Sequence, residues 1–449
     1  MKVVATKQEL PHGIDSPAVP PGYKQTDFGV IPEHWHIKQL ADICMPHGII
    51  RGPFGGTLKK DTFVTSGFKV YEQQNAIYKS SELGSYFVNQ SKYAEMHRFS
   101  VSPGDFIISC SGTIGRIFQI PPDAPQGIIN QALLKLTTND EVVYDRYFYI
   151  LFEWNDFQIR IIDSTQGGAI KNLVGMDVFR TITVALPSLS EQRAIAEALS
   201  DVDGLLNALE ALIAKKRAIK QATMQQLLTG KTRLPGFSGV WETKQLGELG
   251  SFSKGRGIKR DEVSGEGVPC VRYGELYTQY KNYILKVASR IPPSVADTAL
   301  PIKKGDLLFA GSGETAEEIG RCAAYLGEEQ AYAGGDVIVL TPSGQNPIYL
   351  GHLMNSPIVS AQKARMGQSD AVVHIYINNL AQVQIELPPI TEQRAIASIL
   401  SDMDTELAAL EQRRDKTRAI KQGMMQQLLT GRVRLSESRI IADDTDDAD

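Results

Sequence analysis

An α/β (α+β) protein built from two similar halves, each a mixed globular domain followed by a long helix, is predicted by three observations. Residues 190–234 return as residues 391–435 at a constant offset of 201, with 29 identities in 45 positions and no gap; a long-period repeat of this kind decides the architecture before any local reading. Each copy is a helix former's sequence, and each follows a stretch of about 150 residues rich in short apolar runs separated by Gly, Ser and Asn, as in βα domains.

Taken in order, residues 1–27 hold four prolines and no periodicity and predict an extended arm. Residues 28–187 form the first head, opening on GVIPEHWHIKQLADI, and residues 235–388 the second, opening on GVWETKQLGEL, so that Trp35 matches Trp241. The runs FKVY, FIIS, TITVALP, VPCV, VIVL and VQIELP read as strands. Gly104-Asp105 before FIIS matches Gly305-Asp306 before LLFA, and each leads into a glycine-containing turn, CSGTIG (residues 110–115) or GSGETA (residues 311–316).

The spacers are residues 188–234 and 389–435. Each follows proline (Pro187; Pro388 and Pro389), has a capping candidate in Ser190 or Thr391, and stops at Gly230 or Gly431, where a left-handed C-cap costs least. Ile195, Leu199, Val202, Leu206, Leu209 and Ile213 step by 4 and 3, as do Ile396, Leu400, Met403, Leu407 and Leu410. That 3.5-residue stripe asks for a coiled-coil partner. About 39 residues at 1.5 Å make a rod of about 58 Å, and the partner expected for one rod is the other, antiparallel about a pseudo-two-fold axis. Residues 436–449 carry a net charge of −5 within a chain total of −4 and predict an acidic, disordered tail, leaving a body near +1.

Two groups of polar residues are singled out. The segment RAIKQ followed by MQQLLTG occurs in both helices, and its polar identity at Arg217, Lys220, Gln225 and Gln226, repeated at Arg418, Lys421, Gln426 and Gln427, marks a surface for another subunit, with a solvated basic face as the plainer alternative. In the heads, Arg51, Lys59 and Lys60 flank the glycine-rich GPFGG, and Gln73, Gln74 and Asn75 offer amides suited to adenine. In the second head Lys254, Arg256, Lys259 and Arg260 share the loop SKGRGIKR, and Arg272 follows VPCV. Arg, Lys and amides beside flexible glycine loops suit a DNA duplex, since cations meet phosphate and Arg or amide forks read base edges. Arg272, held at a strand end, is the candidate for base reading and Lys259 for phosphate; singly, each is also an ordinary surface charge.

Catalytic signatures fail. Residues 311–316 fit a loose dinucleotide pattern without its βαβ setting. Gly230-Lys231-Thr232 lacks the first P-loop glycine, since Gln225 occupies its place. The seven histidines show no metal spacing, and there is no methyltransferase tetrad of the Asn-Pro-Pro-Tyr type. The cysteines, Cys44, Cys110, Cys270 and Cys322, lack CxxC spacing and predict buried, reduced thiols in a cytoplasmic protein. No apolar run reaches membrane-spanning length.

Variable globules alternating with repeated helices, opened by LPSLSEQRAIA and LPPITEQRAIA and closed by QQLLTGK and QQLLTGR, closely resemble the specificity subunit of type I restriction-modification enzymes. The resemblance covers almost the whole chain. It implies that the heads are target recognition domains, each reading half of a bipartite asymmetric site in double-stranded DNA. It also implies an antiparallel coiled coil that fixes the gap and docks two modification methyltransferase subunits, to which motor-nuclease subunits attach. The chain itself would then be non-catalytic, with S-adenosylmethionine, ATP and Mg²⁺ on the partners. The competing readings are a coiled-coil scaffold with two protein-binding heads and a nuclease or methyltransferase in its own right.

Overall fold

The computed structural model describes residues 19–26, 29–54, 56–163, 172–368 and 372–435. Most of the expected arm and the whole acidic tail lie outside them. The last described part of the arm is a strand, Tyr23–Thr26, paired with Gly29–Pro32. The chain divides into two compact units, one of residues up to Asn207 together with those from Lys416, the other Ala208–Asp415.

Each unit holds one head built on the same plan. In the first, a four-stranded sheet includes Cys44–Arg51, Phe106–Ser109 and Leu133–Thr138. In the second, Gly250–Lys254, Leu307–Ala310 and Val337–Pro342 take the same places in a five-stranded sheet. A second sheet in each head pairs one strand in parallel, Phe68–Tyr71 with Gly127–Ile129 and Val268–Val271 with Ala331–Ala333. The closing strand of each head returns to the opening one, Thr183–Leu186 on His36–Gln39 and Gln384–Leu387 on Glu242–Gln245.

The Gly-Asp landmarks are a tight turn solved twice. Gly104 and Gly305 sit at φ +93° and +99°, a conformation that glycine adopts without a Cβ penalty. The buried Asp105 and Asp306 each accept the backbone N–H three residues back and a threonine hydroxyl, from Thr137 at 2.5 Å and Thr341 at 2.7 Å. A buried carboxylate with its acceptors occupied avoids the cost of an unmet polar group.

The long helices are Leu189–Leu227 and Ile390–Leu428. In the second unit Lys216 meets Glu406 at 2.6 Å, Arg217 meets Glu411 and Lys220 meets Asp404, so the two segments run antiparallel. In the first unit Lys421 meets Asp203 at 2.6 Å, and Leu428 and Leu429 pack with Ile195 and Leu199, again antiparallel. The stripe is not wholly an interhelical seam. Its first turns, Ile195 and Leu199 or Ile396 and Leu400, sink into the core of the head in the same unit. The N-terminal cap also differs from expectation: the Ser188 hydroxyl accepts the Glu191 N–H, while Ser190 already lies within the helix. Gly230 and Gly431 close the helices at φ +67° and +70°.

Candidate nucleic-acid interface

Three candidate cations of each head stand at corresponding places. Arg51 ends its strand opposite Leu134, and Lys254 ends the equivalent strand opposite Ile338. Lys59 and Lys259 each precede a short 3-10 helix, Lys60–Thr62 or Arg260–Glu262, whose first residue is again a cation. All four of Lys59, Lys60, Lys259 and Arg260 are exposed, as is Arg256.

Arg272 sits where the strand Val268–Val271 turns into the helix Tyr273–Thr278. Its Nε and Nη2 donate to the buried Glu275 carboxylate at 3.2 and 3.1 Å, which holds the guanidinium plane in place and leaves the Nη1 end of the fork. Ser289 also donates to that carboxylate. Arg260, Arg272, Tyr273, Gln279, Ser289 and Asp336 line one cleft of about 760 Å³. Lys254 lies 3.8 Å from Asp336, whose other oxygen accepts the Ser312 hydroxyl at 3.1 Å; Ser312 in turn contacts His374 Nδ1 at 2.9 Å. No sequence pattern points to this grouping of Asp336, Ser312 and His374, because it joins a turn residue to two short strands, Ser312–Gly313 and Val373–His374, that pair from distant parts of the chain.

In the first head, Gln73 opens the helix Gln73–Tyr78 that corresponds to Tyr273–Thr278. Its Oε1 and the Nη1 of Arg51 are shut off from solvent without a protein partner, and a buried polar atom in that state costs about 1–3 kcal/mol. Asn75 corrects the sequence reading. It is fully buried, its Oδ1 accepts the Glu72 N–H at 2.8 Å, and its Nδ2 donates to the carbonyls of Ser80 and Leu83. Its amide knots the strand-helix turn and has nothing left for a base.

The repeated helix segment also needs revision. Lys220 is buried on Asp404 and Lys421 is tied to Asp203, while Arg217 pairs with Glu411, so these polar identities are accounted for by bonds between helices. Gln225, Gln226, Arg418 and Gln427 are exposed and Gln426 is half-buried. Two further identical residues, Ile219 and Ile420, are apolar yet 42% and 49% exposed.

The helix ends carry residues that sequence reasoning left without a role. Arg434 forks onto Glu191 at 2.5 and 3.0 Å, and Arg233 onto Glu392 at 2.6 Å through both nitrogens. Gln192 accepts the Tyr144 N–H at 2.8 Å and Gln393 the Asn346 N–H at 3.0 Å. Trp35 donates to Glu191 at 3.2 Å and lies against Gly431, and Trp241 lies against Gly230. Each EQR motif thus bonds to the end of the other helix and to its own head. The signal was present as identity at an offset of 201, but the pairing across the two copies was not.

All four cysteines are free and buried, and burial pushes the thiols of Cys44, Cys110 and Cys322 up to about 12. Among the described residues no group of three or more His, Cys, Asp or Glu side chains could hold a metal ion, and no helix is long and apolar enough to cross a membrane.

Two heads built on one plan, with cations at corresponding places and each followed by a long helix that bonds to its copy, define an internally duplicated protein. Both halves match the type I restriction-modification DNA specificity domain, over residues 32–221 and 239–419. The chain therefore belongs to the family of type I restriction-modification DNA specificity subunits. It is 21% identical over 436 residues to the type I restriction enzyme MjaVIII specificity subunit of Methanocaldococcus jannaschii, covering 92% of this chain and 97% of that one. Among solved structures it is similar to a chain from a study of complex assembly and conformational transition of the type I R-M system, with a TM-score of 0.55 at 18% identity, covering 90% of this chain and 99% of that one. The type I restriction-modification S subunit from M. genitalium gives a TM-score of 0.52 at 16% identity, covering 88% of this chain and 96% of that one.

Proposed function

We propose that each head reads one half of a bipartite, asymmetric site in double-stranded DNA and that the paired helices set the number of unread base pairs between the halves. The observation that carries this reading is the repetition of one cationic frame, Arg51 with Lys59 and Lys60, then Lys254 with Lys259 and Arg260, in two heads whose remaining cleft residues differ. Two modification methyltransferase subunits dock on the repeated helix surface, where Ile219 and Ile420 stand exposed among exposed polar residues identical in both copies, such as Gln226 and Gln427. Motor-nuclease subunits join through them. The chain itself is non-catalytic, S-adenosylmethionine, ATP and Mg²⁺ are bound by those partners, and the complex works in the cytoplasm.

The test is methylation by the chain with its methyltransferase partner on a duplex library randomised in both half-sites. Methylation confined to a two-part sequence is expected. Sequence-independent methylation, or methylation by the chain alone, would refute the reading.

A further inference from the structure

Equivalent positions in the two heads can be compared because the frame fixes them. At some, the chemistry is kept: cation for cation at Arg51 and Lys254, at Lys59 and Lys259, and at Lys60 and Arg260. At others the backbone is kept and the chemistry inverts. Glu72 and Arg272 both cap the helix after the parallel strand, yet one is an acid and the other a base. Ala132 and Asp336 both accept a backbone N–H from the glycine-containing turn, from Cys110 at 2.9 Å and Gly311 at 2.7 Å, yet one side chain is a methyl group and the other a carboxylate.

A feature shared by two readers of different sequences answers to what every duplex shares, its phosphates. A feature that inverts on an unchanged backbone answers to what differs, the base edges. Resting on the DNA-reading function above, we infer that Lys59 and Lys259 hold phosphates, while Arg272 and Asp336 read bases of the second head's half-site. The chemistry narrows the target further. With Nε and Nη2 on Glu275, the remaining end of the Arg272 fork presents donors, which suit guanine O6 and N7. The Asp336 carboxylate presents acceptors, which suit the cytosine amino group. Both line the same cleft, so this half-site contains G·C pairs at the positions they reach.

The experiment selects duplexes from a pool randomised in both half-sites, using the full chain bound to its methyltransferase partner. Arg272→Gln and Asp336→Ala should each relax selection at one G·C position by about 10- to 100-fold, with the other half-site retained as evidence that the variant is folded. Lys59→Ala and Lys259→Ala should leave the selected sequence unchanged, weaken binding to all pool members alike, and lower the salt slope by about 0.9 for each lost contact. A changed sequence in a lysine variant, or uniform weakening with unchanged selection in the Arg272 and Asp336 variants, overturns the division of roles. Failure of the unaltered complex to select any sequence overturns the DNA-reading function itself, a result distinct from the other two.

Discussion

A fragment of residues 1–234 should form a homodimer whose ion pairs can be written down in advance. Lys220 meets Asp404, and Lys421 meets Asp203. Asp404 and Lys421 are the repeat counterparts of Asp203 and Lys220. In a dimer of first halves, Lys220 of each copy therefore meets Asp203 of the other, twice. Lys220 is 9% exposed, and Asp203 is 30% exposed at its side chain, so each contact is a partly desolvated charge-assisted bond of about 1.5–3 kcal/mol. Lys220→Glu places a carboxylate against Asp203 at both sites, and losing both bonds weakens the dimer by about 3–6 kcal/mol, or roughly 100- to 10,000-fold. Asp203→Lys does the same with two ammonium groups. Mixed together, the two single variants regain an opposite pair at each site: the introduced glutamate faces the introduced lysine at one, and the native Lys220 of one copy faces the native Asp203 of the other at the second. Sedimentation equilibrium should find each variant monomeric alone and heterodimeric in the mixture. Homodimers of either variant as tight as the unaltered fragment, or no rescue on mixing, would show that the helices of the half-chain do not pair in the register of the whole chain.

Three further outcomes follow from the same structure. A Cβ on Gly431 would fall 2.4 Å from Pro32 at φ +70°, whereas one on Gly230 meets only Trp241 at 3.5 Å; urea unfolding should find Gly431→Ala costing about 2–5 kcal/mol and Gly230→Ala about 1–2. Asn75→Ala should destabilise by about 1–3 kcal/mol while leaving the DNA sequence preference untouched, and a changed preference would return Asn75 to the interface. His352 is fully buried between Asn282 and Asp404, and burial holds its imidazole below the usual range. The unfolded chain then binds the proton more readily, so the Tm should fall as pH drops below about 6.5, and His352→Leu should flatten that slope.

The strands, the C-terminal helix limits and the Gly-Asp turns were legible because each is decided locally, by alternation or a positive φ. Arg272 was legible as a rigid residue for the same reason, since a strand end is visible in VPCV. Asn75 is misread from sequence because the value of its amide is set by the carbonyls of Ser80 and Leu83, and nothing in the run QQN tells a knot from a reader. Lys220 is misread in the opposite sense. A polar residue identical in two copies looks outward-facing until its partner, Asp404, is found 184 positions away.

The case of Lys220 points to why the duplication has kept its ends and changed its clefts. Arg233 bonds Glu392, and Arg434 bonds Glu191, so each end of one copy is answered by the other copy. A substitution at Glu191 alone leaves Arg434 with a buried carboxylate missing and strips Trp35 of its acceptor, and only a matching change at a distant site could restore both. Only the carboxylate of this pair is buried, so losing Glu191 forfeits a bidentate charge-assisted bond and leaves the buried Trp35 N–H without its acceptor. The cleft positions carry no such constraint: Asp336 replaces Ala132 with its backbone bond to the turn intact, and Arg272 replaces Glu72 while Glu275 replaces Asn75 at the same helix turn. Selection on stability acts on the reciprocal ends as a pair, while each cleft is free to follow its own half-site. The frame is thus held constant by the bonds between the copies, and the target is varied by residues whose backbone contacts survive the exchange.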